Sequence, residues 1–169
     1  LLAFMIPLFI GIPLGIIAAV YRNTFIDKIS MFSAVLGITI PHFVLGALLI
    51  LIFAHSLKIF PPALWEGWSN MILPAITLGI GPTAYIARLT RASILEVLHK
   101  DFVRTAFAKG LPYSKIILKH VLKNALTPII SVMGPILAGL VAGSFVVEYI
   151  FSIPGMGRYF ITAVTDRDY

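Results

Sequence analysis

The sequence predicts an all-α, polytopic membrane bundle of four spans with a basic helical loop, and three observations carry that prediction. Apolar residues make up 59% of the 169 positions and charged residues only 12%, against about 25% charge in a soluble globular domain. Four uncharged runs are long enough to be spans. The net charge of +6 is concentrated in residues 88–123, which hold eight basic and two acidic side chains, and the rest of the chain sums to zero. This composition excludes disorder and an ordinary soluble enzyme, because a soluble core of this size needs a charged shell. The absence of Cys removes disulfides, thiolate metal sites and Cys nucleophiles, and leaves cysteine silent about compartment.

A bilayer's hydrocarbon core is about 30 Å thick and takes roughly 20 apolar residues of helix. Residues 1–21 are free of charge and form the first run. Residues 29–57 form a second, interrupted only by His42 and His55 and long enough to tilt or kink, with Pro41 as the kink site. Residues 71–87 and 124–147 are the third and fourth. Residues 88–123 lie between spans as a coupling region, and residues 148–169 read as an outer loop with a short helix. The chain opens inside an apolar run without an initiator Met and stops abruptly at Tyr169, so it reads as a segment of a longer polypeptide.

Orientation follows from Lys and Arg, which gather on the cytoplasmic side. Alternating spans place ten basic residues (Arg22, Lys28 and the eight of 88–123) on one side and three (Lys58, Arg158, Arg167) on the other. The 88–123 segment is therefore expected in the cytoplasm. The Pro61-Pro62 turn with Trp65 and Trp68 then falls at the outer interface. Proline and glycine are frequent within the spans. They either let helices approach closely or free carbonyls toward a polar cavity, and ordinary packing explains any single one.

Within the basic segment, Ile94, Leu95, Leu98, Phe102 and Ala106 recur at helical spacing, which predicts an amphipathic helix through Lys109. Gly110 is placed to stop it and Pro112 to open a second helix over residues 113–122. Such an element could lie on anionic lipid or dock a cytoplasmic protein, and composition does not decide between them. Its position between spans speaks against nucleic acid.

The residues of this segment also carry a resemblance. DFVRTAFAKGLP (residues 101–112) followed by IILKHVLKNALTP (116–128) resembles the cytoplasmic loop of ABC importer permeases of the peptide and nickel class. EYIFSIPGMG (148–157), DRDY (166–169), IPHF (40–43) and ILP (72–74) are similar to further signatures of that class, in the same order along the chain. Among subfamilies the likeness points to the first permease subunit of oligopeptide importers. The general importer loop carries Glu-Ala-Ala before its glycine. Here Arg104, Thr105 and Ala106 stand in that triplet, Gly110 is kept, and residues 120–123 replace the usual ending, a departure that suits the peptide class.

The resemblance implies an ABC importer type I-like fold in the bacterial inner membrane. It implies a second permease subunit, two cytoplasmic ATPases holding ATP and Mg, and an extracytoplasmic substrate-binding protein, with membrane lipid around the spans. It also implies a first span before this segment and a last one after it. The contacts it implies with an ATPase are Arg104, Thr105, Ala106, Lys109, Gly110, Leu111, Pro112 and Tyr113. The expected cargo is a peptide, with nickel or another small solute as the alternative in the same class.

No phosphate loop of the form GxxxxGK[ST] occurs, so nucleotide hydrolysis is expected from a partner and no cofactor is expected on this chain. Neither a GxSxG elbow nor an HExxH helix is present, and the four His are scattered. Candidate path residues are Thr39, His42, Ser131, Ser144 and Glu148. His42 either faces a passage or bonds a carbonyl freed at the kink. Glu148 either meets substrate at the outer mouth, pairs with Arg158 or Arg167, or is simply solvated at the interface. The hydroxyl residues either line a passage or bond between helices. A secondary transporter would need acids inside the spans, and none of the four contains Asp or Glu. A membrane-embedded hydrolase would need paired catalytic groups at one depth, which the pattern lacks.

Overall fold

An uncharged run in hydrocarbon can satisfy its backbone N–H and C=O groups only within its own helix, and the described residues of the four runs are largely helical, with the second broken at residues 40–41. The computed structural model describes residues 1–62, 67–142, 145–155, 159, 163 and 165. Helix α1 is Leu2–Val20, α2 Phe25–Thr39 and α3 His42–Ser56. Helix α4 is Trp68–Leu98, α5 Asp101–Ala108, α6 Tyr113–Ala142 and α7 Phe145–Ile150. Among the described residues there is no strand. Three helices (α1, α4, α6) are long and apolar enough to cross a membrane, and α2 with α3 makes a fourth if the bent pair is one span. Wider π-type turns occupy Pro7–Gly11, Ile50–Ser56 and Ile116–Val121.

The kink expected at Pro41 is a bend of 104° between α2 and α3. A proline forces the residue before it out of the α region, and Ile40 is extended at φ −74°, ψ 120°. The Pro41 carbonyl then accepts from Leu45 N–H at 3.0 Å and starts α3.

Helix α4 is the axis of the fold, touching α1, α2, α3, α6 and α7. Its 31 residues extend about 46 Å, so the expected boundary at Arg88 is no break in the rod. Close approach of α1 depends on Gly11 and Gly15, four residues apart. A Cβ at Gly15 would lie 2.5 Å from both the Ala87 carbonyl and Thr90 Cβ, and one at Gly11 2.8 Å from the Thr83 carbonyl. Gly79 of α4 reciprocates, with the Ala3 carbonyl 2.9 Å from where its Cβ would be. These are the small-residue contacts that membrane helices use where lipid supplies no hydrophobic drive between them.

Two apolar clusters sit at different parts of this frame. One joins Ala19, Ile94, Val97, Val103, Ala106, Ile116, Ile117, Val121 and Ala125, binding α5 and the start of α6 to α4 at the basic end. The other joins Leu73, Val147 and Phe151, with Phe53 and Phe60 packed beside them.

Candidate functional site

The basic end is built around a corner. Helix α4 ends at Leu98, where the His99 ring bonds the Leu95 carbonyl at 2.7 Å, and Lys100 is extended at φ −75°, ψ 149°. This two-residue break resets the helical phase. The inward residues beyond it are Val103 and Ala106, while Phe102 is 44% exposed. The single apolar stripe expected over residues 94–106 is therefore two short stripes meeting one cluster.

Gly110 stops α5 as expected, with φ +72°. Gly110 N–H donates to the Phe107 carbonyl at 2.9 Å and Leu111 N–H to the Ala106 carbonyl at 3.4 Å, the pair of bonds that closes a Schellman motif. Leu111 packs back on the cluster. The Pro112 carbonyl accepts from Lys115 and Ile116 at 3.0 and 3.1 Å and opens α6. The second helix expected over residues 113–122 does not end there but runs on as α6 to Ala142. The corner thus joins a short helix directly to a membrane-length rod.

Of the eight residues expected at an ATPase interface, Arg104, Thr105, Lys109, Gly110, Pro112 and Tyr113 are exposed and Leu111 is half-buried. Ala106 is only 5% exposed and turns inward. The sequence reading missed Phe107, exposed beside Tyr113 with ring centroids 6.2 Å apart. Flanked by Ala106 and Ala108, it carries no local signal of its exposure, and a single stripe through Phe102 leaves it unassigned. Phe102, Thr105, Ala106, Lys109, Leu111 and His120 line a shallow hollow of about 360 Å³ next to this knob.

A second feature at the same end lay outside every expected span. Asp27 accepts from Arg91 Nε at 2.6 Å and Nη2 at 2.7 Å, and from Asn23 N–H at 2.9 Å. Its side chain is 5% exposed and that of Arg91 25%. The fork-to-fork pair clamps the start of α2 to α4 one turn before Ile94. Sixty-four positions separate its partners, and no local pattern announces it.

The path candidates are dispersed. Thr39 and Ser131 are exposed and bond carbonyls four residues back in their own helices, Val35 at 2.8 Å and Thr127 at 3.1 Å. His42 Nδ1 bonds the Thr77 carbonyl at 3.0 Å, tying the bend to α4, and its ring lies against Gly81. Glu148 sits on α7 with its carboxylate folded against Gly155, where a Cβ would collide with it. Ser152, in the left-handed region at φ +51°, turns the chain back for that contact. Ser144, Arg158 and Arg167 lie outside the described residues. Among the described residues no three His, Asp or Glu side chains gather as metal ligands would.

A family described as the binding-protein-dependent transport system inner membrane component matches residues 11–169. The chain belongs to that family. The family's description names an inner membrane component, and the helices long and apolar enough to cross a membrane agree with a membrane location. The dipeptide transport system permease protein DppB of Bacillus subtilis (strain 168) is 53% identical over 99% of this chain and 54% of the relative. The oligopeptide transport system permease protein OppB of Salmonella typhimurium is 45% identical over 99% of the chain and 55% of the relative. The glutathione transport system permease protein GsiC of Escherichia coli O1:K1 is 46% identical over 94% and 52%. The chain spans about half the length of these relatives.

Proposed function

We propose that the chain is the core of a permease subunit of an ATP-driven peptide importer, moved by cytoplasmic ATPases through the corner at residues 101–113. The observation that carries this is the two-faced construction of the corner. Val103, Ala106 and Leu111 anchor it in the chain's own cluster, while Phe107, Tyr113, Arg104 and Lys109 face outward. A push on the outward face meets no slack, because the Schellman closure joins α5 to α6 without a flexible linker and the cluster joins both to α4.

In this reading two ATPase subunits hold ATP and Mg and perform the hydrolysis, a second permease completes the passage, and an extracytoplasmic protein delivers substrate. Relatives named for dipeptides, oligopeptides and glutathione support a peptide cargo.

Two substitutions in the full-length permease, assembled with its partners, test the corner. Phe107→Asp removes an exposed aromatic anchor, a residue type whose loss at interfaces commonly costs tenfold or more in affinity, about 1.4 kcal/mol. Gly110→Val places a β-branched residue at φ +72°, where nothing blocks its Cβ but the backbone is strained. Substrate-stimulated ATP turnover is expected to fall about tenfold in both, with membrane insertion unchanged. Unaltered coupling in both variants overturns the reading.

A further inference from the structure

The basic side chains of α6 form a ladder that the corner does not use. Lys115, Lys119 and Lys123 follow one another at four-residue steps, and all three are exposed. Their direction is set from behind. Ile116, Ile117, Val121 and Ala125 are buried in the cluster against α4 and α5, which fixes the rotation of the helix and turns the lysines away from the protein. Among the described residues no carboxylate pairs with any of them, since Glu96 meets Lys100, Asp101 approaches Arg104 and Asp27 holds Arg91. Leu118, 65% exposed, lies beside the ladder.

Length then gives the depth. Residues 124–142 of α6 carry no charged side chain, and at 1.5 Å per residue they nearly fill a hydrocarbon core of about 30 Å. Lys123 stands at the edge of that stretch, with Lys119 and Lys115 about 6 and 12 Å beyond it. The headgroup layer is about 5–8 Å deep on each side, and a lysine stem extends several ångströms to bring its ammonium to that level. The knob formed by Phe107 and Tyr113 is at the far tip, so the ladder lies between the knob and the bilayer.

We infer that Lys119 and Lys123 bind the phosphates of anionic phospholipids in the adjoining leaflet. The inference rests on the permease reading only for orientation, in which the basic end is cytoplasmic. Its site is a pair of ammonium groups at phosphate depth, with Lys115 just beyond the headgroup layer, and charge complementarity selects phosphatidylglycerol-like lipids over zwitterionic ones. Each lysine near an anionic surface is worth about fivefold in partitioning.

The test uses the full-length permease purified with its partner subunits in nanodiscs of phosphatidylcholine with and without phosphatidylglycerol. Retained lipid is counted by native mass spectrometry. Lys119→Gln/Lys123→Gln is compared with Arg22→Gln/Lys28→Gln, which removes the same charge from the same side. The ladder variant is expected to lose its preference for phosphatidylglycerol by about 25-fold, while the matched variant keeps it. Equal loss in both variants, or loss in neither, overturns the inference, as does a cross-link from Lys119 to another protein subunit. Lipid retention is read without turnover, so failure of the coupling test leaves this outcome distinguishable.

Discussion

Helices α4 and α6 are nearly the same length, 31 and 30 residues, yet half of the span window of α4 is buried and only 11% of that of α6. Both contain two prolines and two glycines. The difference lies in what the small residues meet. Gly79 of α4 nearly touches a neighbouring backbone, and α4 supplies the carbonyls that approach Gly11 and Gly15. Gly134 and Gly139 of α6 have nothing within 4 Å of an added Cβ. Apolar character marks a helix as able to sit in lipid, whereas close backbone approach marks it as already partnered.

The charges repeat the contrast, and breaking them gives the largest expected effect. Asp27→Asn removes one partner of a pair that is largely out of solvent. A broken buried pair costs 3–5 kcal/mol, and because Arg91 is a quarter exposed the expected loss is about 2–3 kcal/mol. The measurement is the unfolding midpoint in mixed detergent micelles. Neutralising Lys123 on α6 leaves that midpoint within about 0.5 kcal/mol. In a double-mutant cycle, Asp27→Asn with Arg91→Gln should cost at least about 1 kcal/mol less than the two singles added. Strict additivity would show that the clamp does not hold α2 to α4.

The next effect changes sign between the two helices. Gly15→Ala forces the Ala87 carbonyl and Thr90 to give way, an overpacking cost of about 1–3 kcal/mol. Gly139→Ala meets open space and gains the helix preference of Ala over Gly, up to about 1 kcal/mol. Opposite shifts in the same micelle assay support the contrast. A loss at Gly139 as large as at Gly15 would mean that α6 is closely packed there.

Much of this arrangement was legible in the sequence because it depends on local pattern. The uncharged runs became helices for want of any other backbone partner in hydrocarbon. Pro41 marked the bend because a proline holds the residue before it extended, and Gly110 with Pro112 marked the corner because glycine admits the left-handed φ that ends a helix and proline suits the start of the next. What was not legible depends on distance or phase. The size of the Pro41 bend is set by what α3 packs against, including the His42 bond to Thr77. The break at residues 99–100 carries no Gly or Pro, so the stripe seemed continuous and Phe107 was overlooked. Asp27 and Arg91 fell in stretches read as connectors, where charges are ordinarily solvated. Ala106 stood in a family motif, and only the cluster reveals that its methyl faces inward.

The smallest effect lies within α4 and sharpens what its burial means. Thr77 and Thr83 donate to the Leu73 and Gly79 carbonyls at 2.8 and 2.7 Å, whereas Thr90, fully buried against Gly15, has no partner for its hydroxyl among the described residues. An unsatisfied buried hydroxyl carries a desolvation cost that an apolar group of the same shape removes. Thr90→Val therefore should be neutral or stabilising by up to about 1 kcal/mol, and Thr83→Val should cost about 0.5–1 kcal/mol for its lost bond. The comparison is made in detergent and again in the assembled complex. If Thr90→Val is harmless in the isolated chain but lowers the midpoint of the complex, the hydroxyl gains its partner from another subunit, and the α1–α4 seam is shared with the assembly rather than internal to this chain.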